Sequence, residues 1–387
     1  MSAPRAFRWV HADDATSARC GILQTGHGTV ETPAFMPVGT QGTVKTLTPE
    51  ELRSLGASMI LGNVYHLFIR PGINLIKRQG GLHTFMGWDG PILTDSGGYQ
   101  VFSLARLQSL TDEGVYFNAH FDGRRLFLSP EDVARYQLDL GVDVAMLLDQ
   151  CPPYPCSEAE AVRAVGRTLL WAERASLIIA KAKEEGRCPI FFGIVQGSMF
   201  PGLRKRCIER LVGLGFDGYA MGGLSVGEPK ELMLEVLNAT AHLLPKDRPR
   251  YLMGVGEPAD IIQAVALGMD LFDCTLPTRL GRNGTAFTQT GRLVVRHAEY
   301  AEDNRPLDEA CACYACRTFS RAYLRHLFNA DEILGPRMLT LHNIHYYLEW
   351  MRTIREAIRQ GRFSELLRST LYAERSTKPA RYEVNNA

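Results

Sequence analysis

Three aspartates that follow short apolar runs are the side chains best suited to catalysis: Asp95, Asp149 and Asp273. Each one alone is more typical of a helix cap or a turn. Three acids at one place repel each other unless a ligand, proton or cation offsets their charge. Two carboxylates suffice for glycosyl transfer, because one attacks the anomeric carbon and the other moves a proton. The trio therefore indicates such chemistry, although an aldolase or a metal-dependent hydrolase would use the same residue types.

A second reactive group lies near the C-terminus. Cys311, Cys313 and Cys316 form a C-x-C-x-x-C pattern, and His342 follows them. Three thiolates and one imidazole make a closed tetrahedral zinc site of the structural type. His345 is the alternative fourth ligand, and three unrelated buried cysteines or a redox centre are further interpretations. We predict one structural Zn²⁺ per chain, whose loss should unfold this region rather than remove a catalytic atom.

The elements that must position the aspartates are eight apolar runs. They are rich in Ile, Leu, Val, Phe and Met without clean alternation, as in strands buried on both faces. Helical patterns lie between many of them, so the sequence predicts a parallel sheet, and eight units favour a closed (β/α)₈ TIM barrel. A doubly wound open sheet is the alternative, but no G-x-G-x-x-G turn follows the first run. The eight runs occupy residues 34–38, 59–62, 91–94, 142–148, 189–195, 218–221, 251–255 and 269–272.

Six helical segments are predicted between or after these runs. The first begins with a capping-box pattern, Thr48 followed by Glu51, and the second starts similarly at Ser129. In a barrel of this type the active site lies at the C-terminal ends of the strands, so the three aspartates should converge there. The predicted helices occupy residues 48–55, 129–140, 157–185, 203–214, 229–244 and 258–267.

Changes in residue composition and pattern along the sequence divide the chain into three parts. Residues 1–300 are predicted to form the barrel with an N-terminal extension and a hairpin insertion near 114–129, turning at Asp122-Gly123. Residues 301–345 are predicted to form a zinc-binding subdomain. Residues 346–387 are charged and helical, and we expect them to pack on the barrel before a loose polar tail.

Charge and composition bear on the partners of the protein and on its cellular compartment. The 387 residues carry a formal net charge of +1, so nucleic-acid binding would need locally clustered Lys and Arg. Neither a targeting signal nor a membrane-spanning run is apparent, and the nine cysteines are odd in number, so a reducing cytoplasm is expected. Six cysteines lack metal spacing and are interpreted as small apolar fillers or pocket lining: Cys20, Cys151, Cys156, Cys188, Cys207 and Cys274.

Four longer motifs are present together with the zinc cluster: TDSGGYQ at 94–100, IVQG at 194–197, GGLSVGE at 222–228 and DLFDCTLPTR at 270–279. They resemble those of bacterial-type tRNA-guanine transglycosylases. The resemblance runs from about Phe7 to the C-terminal helices. It implies a zinc-containing pentosyltransferase that replaces guanine at the wobble position of tRNAs with G-U-N anticodons. The incoming base would be 7-aminomethyl-7-deazaguanine (preQ1), in a step toward queuosine.

The resemblance also implies roles for individual residues. Asp273 matches the nucleophile that attacks C1′ of the ribose, and Asp95 matches the acid/base group that deprotonates the incoming base. Asp149 matches the carboxylate that reads the base N–H and exocyclic amine. The remaining predicted base-binding groups are the Gln196 side chain, the Gly223 N–H, the Leu224 carbonyl, the sandwiching pair Tyr99 and Met253, and the lining residues Cys151 and Val226.

Two side chains bear on the choice of base. Cys151 and Val226 resemble the bulkier bacterial lining, whereas the eukaryotic type has smaller residues that admit queuine. We therefore predict the bacterial reaction.

Contacts with tRNA are predicted from arginines. The resemblance places Arg279 and Arg282 against the anticodon loop. Arg317, Arg321 and Arg325 are predicted to share a helix face, and Lys378 with Arg381 charge the tail, although a solvated surface is the alternative for both groups. Phosphate contacts predict an affinity that falls steeply with salt.

The aromatic residues that alternate with those arginines suggest an interface. Phe319, Tyr323 and His326 stand at helical spacing, which fits core packing or a subunit contact. The family's usual homodimer uses this region, so a homodimer is predicted, with one subunit catalysing and the other helping to hold the tRNA.

Three rival functions predict different features. A small-molecule enzyme on the same fold would need a catalytic metal, for which His66 is the obvious candidate near the second run. A non-catalytic barrel that binds RNA or a catalytic subunit would have little use for three clustered acids. An archaeal-type enzyme acting at another tRNA position usually carries an extra C-terminal RNA-binding domain, for which no residues remain.

Overall fold

The structure is a computed structural model that describes residues 6–104, 108–119, 122–186 and 189–377. The strands in this part of the chain are short, between three and seven residues each. They are β1 (Phe7–Ala12), β2 (Arg19–Thr25), β3 (Gly28–Thr32), β4 (Ala34–Met36), β5 (Ile60–Asn63), β6 (Ile92–Asp95), β7 (Gln108–Leu110), β8 (Val115–Asn118), β9 (Arg125–Leu128), β10 (Val144–Met146), β11 (Ile190–Val195), β12 (Gly218–Met221), β13 (Arg250–Leu252), β14 (Leu271–Asp273), β15 (Thr285–Thr288) and β16 (Gly291–Val294).

The helices range from single turns to two long rods. Among those described, none combines the length and apolar character that a bilayer crossing requires. They are α1 (Pro49–Ser54), α2 (Val64–Ile69), α3 (Ile73–Arg78), α4 (Leu82–Met86), α5 (Gly98–Leu104), α6 (Pro130–Leu140), α7 (Glu158–Glu184), α8 (Pro201–Leu214), α9 (Lys230–Thr240), α10 (Pro258–Ala266), α11 (Leu276–Arg282), α12 (Tyr314–Thr318), α13 (Arg321–Asn329), α14 (Leu334–Arg359) and α15 (Phe363–Thr377).

Eight parallel strands form the barrel, in the order β4-β14-β13-β12-β11-β10-β6-β5. A parallel bridge between Val38 and Leu61 joins the two end strands and closes the ring. All eight predicted runs form these strands, so the prediction of a (β/α)₈ barrel is confirmed. We call the C-terminal ends of the strands the mouth of the barrel and the opposite ends its floor.

Alternate residues of each strand belong to different cores. In β11, Phe192 and Ile194 point into the barrel interior, whereas Phe191 and Val195 pack against the surrounding helices. This double burial explains why the runs lack a polar face in the sequence.

Local hydrogen bonds start the helices where the sequence predicted. The Thr48 hydroxyl accepts from the Glu51 N–H at 3.2 Å, and the Glu51 carboxylate accepts from the Thr48 N–H at 2.9 Å. At the second helix the partner of Ser129 is Asp132 rather than Glu131, because the third helical residue is the one within reach. Both capping boxes satisfy main-chain donors that would otherwise lack partners.

Three parts of the structure differ from the sequence-based expectation. The segment between β5 and β6 holds three short helices, α2 to α4, that were not predicted. The predicted hairpin is present as β8 and β9, but β7 adds a third antiparallel strand. The prediction that Arg317, Arg321 and Arg325 share one helix is wrong. α12 ends at Thr318 because Phe319 is extended, and the Ser320 hydroxyl caps a new helix.

A buried carboxylate ties together the floor of the barrel. Asp143 accepts hydrogen bonds from the Ile92 N–H at 2.9 Å and the His27 N–H at 3.0 Å. It also contacts His27 Nδ1 at 2.9 Å and His83 Nε2 at 3.1 Å. Burial alone would raise the pKa of Asp143, but the hydrogen bonds from His83, the Ile92 N–H and His27 outweigh it and lower that pKa to about 2. Asp143 thus joins β6, β10, α4 and the β2–β3 turn.

Asp143→Asn is expected to lower the free energy of unfolding by about 2 kcal/mol. The lowered pKa of Asp143 means that the folded structure stabilises the ionised carboxylate, and the variant loses this stabilisation. That contribution is complete above the unfolded pKa near 4 and is lost as the pH falls through about 2. Denaturant unfolding of both proteins between pH 2 and 7 would measure it. Equal unfolding free energies at pH 7 would contradict the assignment.

Candidate active site

The three aspartates meet in one cavity of about 470 Å³ at the mouth. Asp95 is the last residue of β6, Asp273 is the last residue of β14, and Asp149 follows β10 by three residues. Parallel strands bring these positions together because their C-terminal ends share one rim. All predicted base-pocket residues lie on the cavity wall: Asp95, Tyr99, Asp149, Cys151, Gln196, Gly223, Leu224, Val226, Met253 and Asp273.

Asp273 is held by two donors, one in neighbouring β13 and one just after it. The Tyr251 hydroxyl donates to its Oδ1 at 2.6 Å, and the Gly254 N–H donates to the same atom at 2.8 Å. Burial raises the pKa of Asp273, and these two hydrogen bonds oppose that rise. Burial and the nearby charges of Asp273 and Asp95 raise the pKa of Tyr251 well above 10, so it stays a donor. One oxygen of Asp273 is therefore anchored, and the anchoring bonds favour its ionised form.

The surroundings of Asp95 disfavour its ionisation. Burial is the main cause, the charges of Asp149 and Asp273 add to it, and together they raise the pKa of Asp95 to about 7. The Asn63 amide donates to its Oδ2 at 3.3 Å and to the Gln100 side chain at 3.0 Å. A carboxyl with a pKa near neutrality can both give and take a proton at physiological pH.

Asp149 is hydrogen-bonded to the side chain of Gln196. The Gln196 Nε2 donates to Asp149 Oδ2 at 2.6 Å, and burial nevertheless raises the pKa of Asp149 to about 6. The Gln196 Oε1 is buried with no partner among the described residues. The pair presents a carboxylate and an amide side by side, which suits the edge of a heterocycle that offers both N–H donors and a carbonyl acceptor.

Glycines let the backbone approach this pair. A Cβ on Gly223 would stand 2.4 Å from Gln196 Oε1, and one on Gly222 would stand 2.8 Å from Gln196 Nε2. A Cβ on Gly98 would stand 2.8 Å from Asp149 Oδ1. Side chains at these positions would displace the polar pair, so the double glycines serve the shape of the pocket as well as the turns.

The predicted zinc ligands come together in the structure. The Nδ1 of His342 lies 3.6, 3.5 and 3.3 Å from the sulfurs of Cys311, Cys313 and Cys316. Zinc with Zn–S near 2.3 Å and Zn–N near 2.0 Å sets sulfur and nitrogen ligands roughly 3.5 Å apart in a tetrahedron. The His342 Nε2 contacts the Phe287 carbonyl oxygen at 2.7 Å, which suits Nε2–H as donor and Nδ1 as ligand. The donor set therefore fits zinc, with His342 rather than His345 as the fourth member.

The cysteine–histidine cluster is connected through α14 to the helix that follows Asp273. Asn343, beside His342, donates to the carbonyl oxygens of Pro277 and Thr285, both at 2.9 Å. Pro277 belongs to α11, which begins three residues after Asp273. α14 also packs so closely that a Cβ on Gly281 would stand 2.8 Å from the Thr340 Cα. The cluster thus supports the helix that follows the nucleophile candidate.

The predicted tRNA-contacting residues are placed in two regions. Arg279 is exposed and lines the cavity, whereas Arg282 lies outside the lining and donates to the Thr278 carbonyl at 2.9 Å. Phe319 and Tyr323 stack with ring centroids 5.3 Å apart, and Tyr323 is partly exposed on α13. Lys378, Arg381 and Cys188 lie outside the described residues.

Two residues that contact the acids were not predicted. Tyr251 shares a strand face with Met253, so the period of two in β13 was the available signal. Asn63 ends β5 at the mouth, and its position after an apolar run resembles that of the aspartates. In the described part of the chain, the groups suited to metal are the cysteine cluster and the floor trio His27, His83 and Asp143, whereas the three mouth acids do not form one.

Comparison with known proteins agrees with this geometry. Residues 13–376 match the family model described as Queuine tRNA-ribosyltransferase. A protein of that name from Pelotomaculum thermopropionicum is 56% identical over 92% of this chain and 95% of its own length. Proteins of the same name from Desulforamulus reducens (56% identical, 90% of this chain, 93% of its own) and Desulforudis audaxviator (56%, 95% and 98%) are equally similar.

Proposed function

The chain belongs to the queuine tRNA-ribosyltransferase family, and on this premise we propose that it is a tRNA-guanine transglycosylase of queuosine synthesis. It replaces guanine at the wobble position of G-U-N anticodons with preQ1, through a covalent aspartyl–ribose intermediate. The proposal is supported above all by the meeting of three acids with three different sets of partners in one cavity. Different environments give neighbouring carboxyls different roles.

In the first displacement Asp273 is the nucleophile. The free oxygen of its carboxylate attacks C1′ of the ribose, the C1′–N9 bond breaks, and the electron pair passes to the guanine. Tyr251 and the Gly254 N–H hold the other oxygen, so the attacking atom needs little reorganisation. Asp95, with a pKa near neutrality, supplies the proton that the leaving base needs.

The second displacement reverses these roles. Asp95 takes the N9 proton of the incoming base, N9 attacks C1′, and the ester bond to Asp273 breaks to restore the carboxylate. Two inversions give retention at C1′. No nucleotide cofactor is needed, because one N-glycosidic bond replaces another. The wobble nucleotide must leave the anticodon stack to reach the cavity.

The base is read by the remaining pocket residues. Asp149 accepts from the ring N–H and the exocyclic amine, while Gln196 and the Gly223 N–H donate to the base carbonyl. One Gln196 N–H is engaged by Asp149, which leaves the second for the base. The Leu224 carbonyl accepts from the aminomethyl group, and Tyr99 and Met253 cover the two ring faces. Cys151 and Val226 limit the volume, so queuine should compete far less well than preQ1.

The other parts of the chain serve the tRNA. Zinc would be held by Cys311, Cys313, Cys316 and His342, and it would supply structure rather than reaction chemistry. Arg279 and Arg282 contact the anticodon loop. We also propose that the chain is divided into a barrel at 1–300, a zinc-binding subdomain at 301–345 and C-terminal helices at 346–387.

The protein is further proposed to form a homodimer through the region of Phe319 and Tyr323. Protein that is purely monomeric at micromolar concentration would contradict the homodimer.

Base exchange is the direct test of this function. Unmodified tRNA with a G-U-N anticodon is incubated with the protein and labelled guanine, and incorporated label is counted. We expect label in this tRNA and none in a matched tRNA whose wobble base is adenine. If folded, zinc-loaded protein incorporates no label, the proposed function is contradicted, and a barrel enzyme that acts on a small molecule is favoured instead.

The pH dependence of exchange follows from Asp95. The first displacement needs Asp273 ionised and Asp95 protonated, so the rate should fall on the alkaline side as the pH passes about 7. The Asp149 charge helps to raise that pKa, so Asp149→Asn should move the alkaline limb to lower pH while also slowing the reaction. Initial rates from pH 5 to 9, measured for the wild type and for Asp149→Asn, give the position of the alkaline limb in each protein. An alkaline limb that does not move would contradict this role of Asp149.

A further inference from the structure

A fully buried arginine lies beneath the base pocket. Arg204 is on α8, and its side chain has no exposed surface. Its guanidinium donates to the main chain of two strand-end loops: to Ser198 O at 2.7 Å from Nε, to Val195 O at 3.4 Å from Nη1, and from Nη2 to Gly222 O at 2.9 Å and Gly223 O at 3.2 Å. The partners described for it are all carbonyl oxygens.

Burying a charged guanidinium among neutral carbonyl groups costs free energy of folding, so a specific role for Arg204 is expected. A buried guanidinium loses its hydration, and neutral carbonyls compensate that loss less fully than a carboxylate does. Burial accordingly lowers the pKa of Arg204 to about 10, which still leaves it charged at neutrality. The two loops that it joins are the ones that carry Gln196 and Gly223, the proposed donors to the base carbonyl.

Peptide geometry links Arg204 to one of those donors. The Gly222 carbonyl and the Gly223 N–H belong to one planar trans peptide, so they point in opposite directions. When Arg204 holds the carbonyl below the pocket, the N–H is directed away from Arg204. Gly223 lines the cavity, has a φ of 62°, and has no room for a Cβ beside Gln196 Oε1. This turn is therefore compatible with an N–H directed at the ligand.

We propose that Arg204 is a positioning residue that aims and polarises the Gly222–Gly223 peptide, so that the Gly223 N–H donates strongly to the carbonyl oxygen of the base. This inference rests on the proposed function. When the C1′–N9 bond breaks, the electron pair that enters the base is shared with its carbonyl oxygen. A cation bound to the far end of the peptide strengthens the N–H donor where that charge develops.

Arg250 provides a matched control. It is also buried, its pKa is also lowered to about 10 by burial, and it donates to the carbonyl oxygens of Leu244 and Pro245 at 2.6 and 3.3 Å. It begins β13 at the floor of the barrel and does not line the cavity. Replacing either arginine removes a similar set of bonds, but only one of them adjoins the base pocket.

The test compares two free bases, guanine and 2-aminopurine, which lacks the carbonyl oxygen. Their inhibition constants against preQ1 incorporation are measured for the wild type, Arg204→Lys, Arg204→Gln and Arg250→Lys. We expect Arg204→Lys to weaken guanine about tenfold and 2-aminopurine less than about twofold, with a larger guanine loss for Arg204→Gln. Arg250→Lys should lower the thermal midpoint and leave the ratio of the two constants unchanged.

The possible outcomes separate the two proposals. Arg204 variants that are folded and keep the wild-type ratio, or lose both bases equally, would overturn the role of Arg204 while leaving base exchange intact. Wild-type protein that exchanges no base would instead overturn the proposed function. Arg204→Gln keeps a donor amide without the charge, so it also decides whether the charge itself is needed.

Discussion

Asp273→Asn is expected to lower base exchange by at least about a thousandfold, since an amide cannot form the ester that carries the ribose. The substitution keeps the size of the side chain. Its carbonyl oxygen can still accept from the Tyr251 hydroxyl and the Gly254 N–H, so the pocket should remain folded. Initial rates of labelled guanine incorporation, with thermal unfolding as a check on the fold, measure the effect.

Asp260→Asn is the matched control for that experiment. Asp260 is another buried aspartate on the cavity wall, but it pairs with Lys230 at 3.0 Å and has no contact with Tyr251 or Gly254 among those described. It should retain most of the exchange activity. An Asp273→Asn enzyme with more than about a tenth of the wild-type rate would contradict the nucleophile assignment.

Removal of the metal is expected to have the largest effect on stability. Structural zinc sites contribute on the order of 10 kcal/mol to folding, so Cys316→Ala should lose the metal and unfold the surrounding segment. Through Asn343 and Gly281 the loss should also loosen α11 and reduce exchange. Elemental analysis should find one zinc per chain in the wild type and almost none in the variant, and a chelator should lower the thermal midpoint of the wild type alone.

Cys20→Ala provides the comparison for the metal experiment. Cys20 is buried, and its thiol contacts the Arg355 carbonyl oxygen at 3.5 Å, outside the cluster. Its replacement should cost only the packing of one small side chain, with the metal retained. A Cys316→Ala protein that keeps full stability, or wild-type protein without zinc, would contradict a structural zinc site.

The barrel was predictable because its strands are buried on both faces. Runs such as 190–195 stay apolar without alternation, and the capping residues Thr48 and Ser129 mark where the following helices begin. The short helices α3 and α4 gave no such signal, since they start at glycines without a side-chain cap. α2 is capped by Asn63, but it is as brief as the other two and shows no period. The break between α12 and α13 was missed because arginine spacing continues across Ser320.

The positions of the acids were predictable, but their partners were not. Strand ends bring Asp95, Asp149 and Asp273 to one rim whatever the side chains around them. The partners depend on pairs that are distant in the chain, such as Gln196 with Asp149 and Arg204 with the Gly222 carbonyl. The differences in pKa depend on burial, which a linear pattern does not contain. The contacts that Tyr251 and Asn63 make with the acids likewise became apparent only in the folded chain.

The proposed mechanism requires a covalent link between Asp273 and the ribose, and this link can be trapped during turnover. The protein is mixed with G-U-N tRNA, quenched in denaturant during turnover, digested with nuclease and protease, and examined by mass spectrometry. We expect a ribose-bearing peptide that contains Asp273, present in the wild type and missing in Asp273→Asn. Base exchange that proceeds with no protein-linked ribose, or with the ribose on another residue, would contradict it.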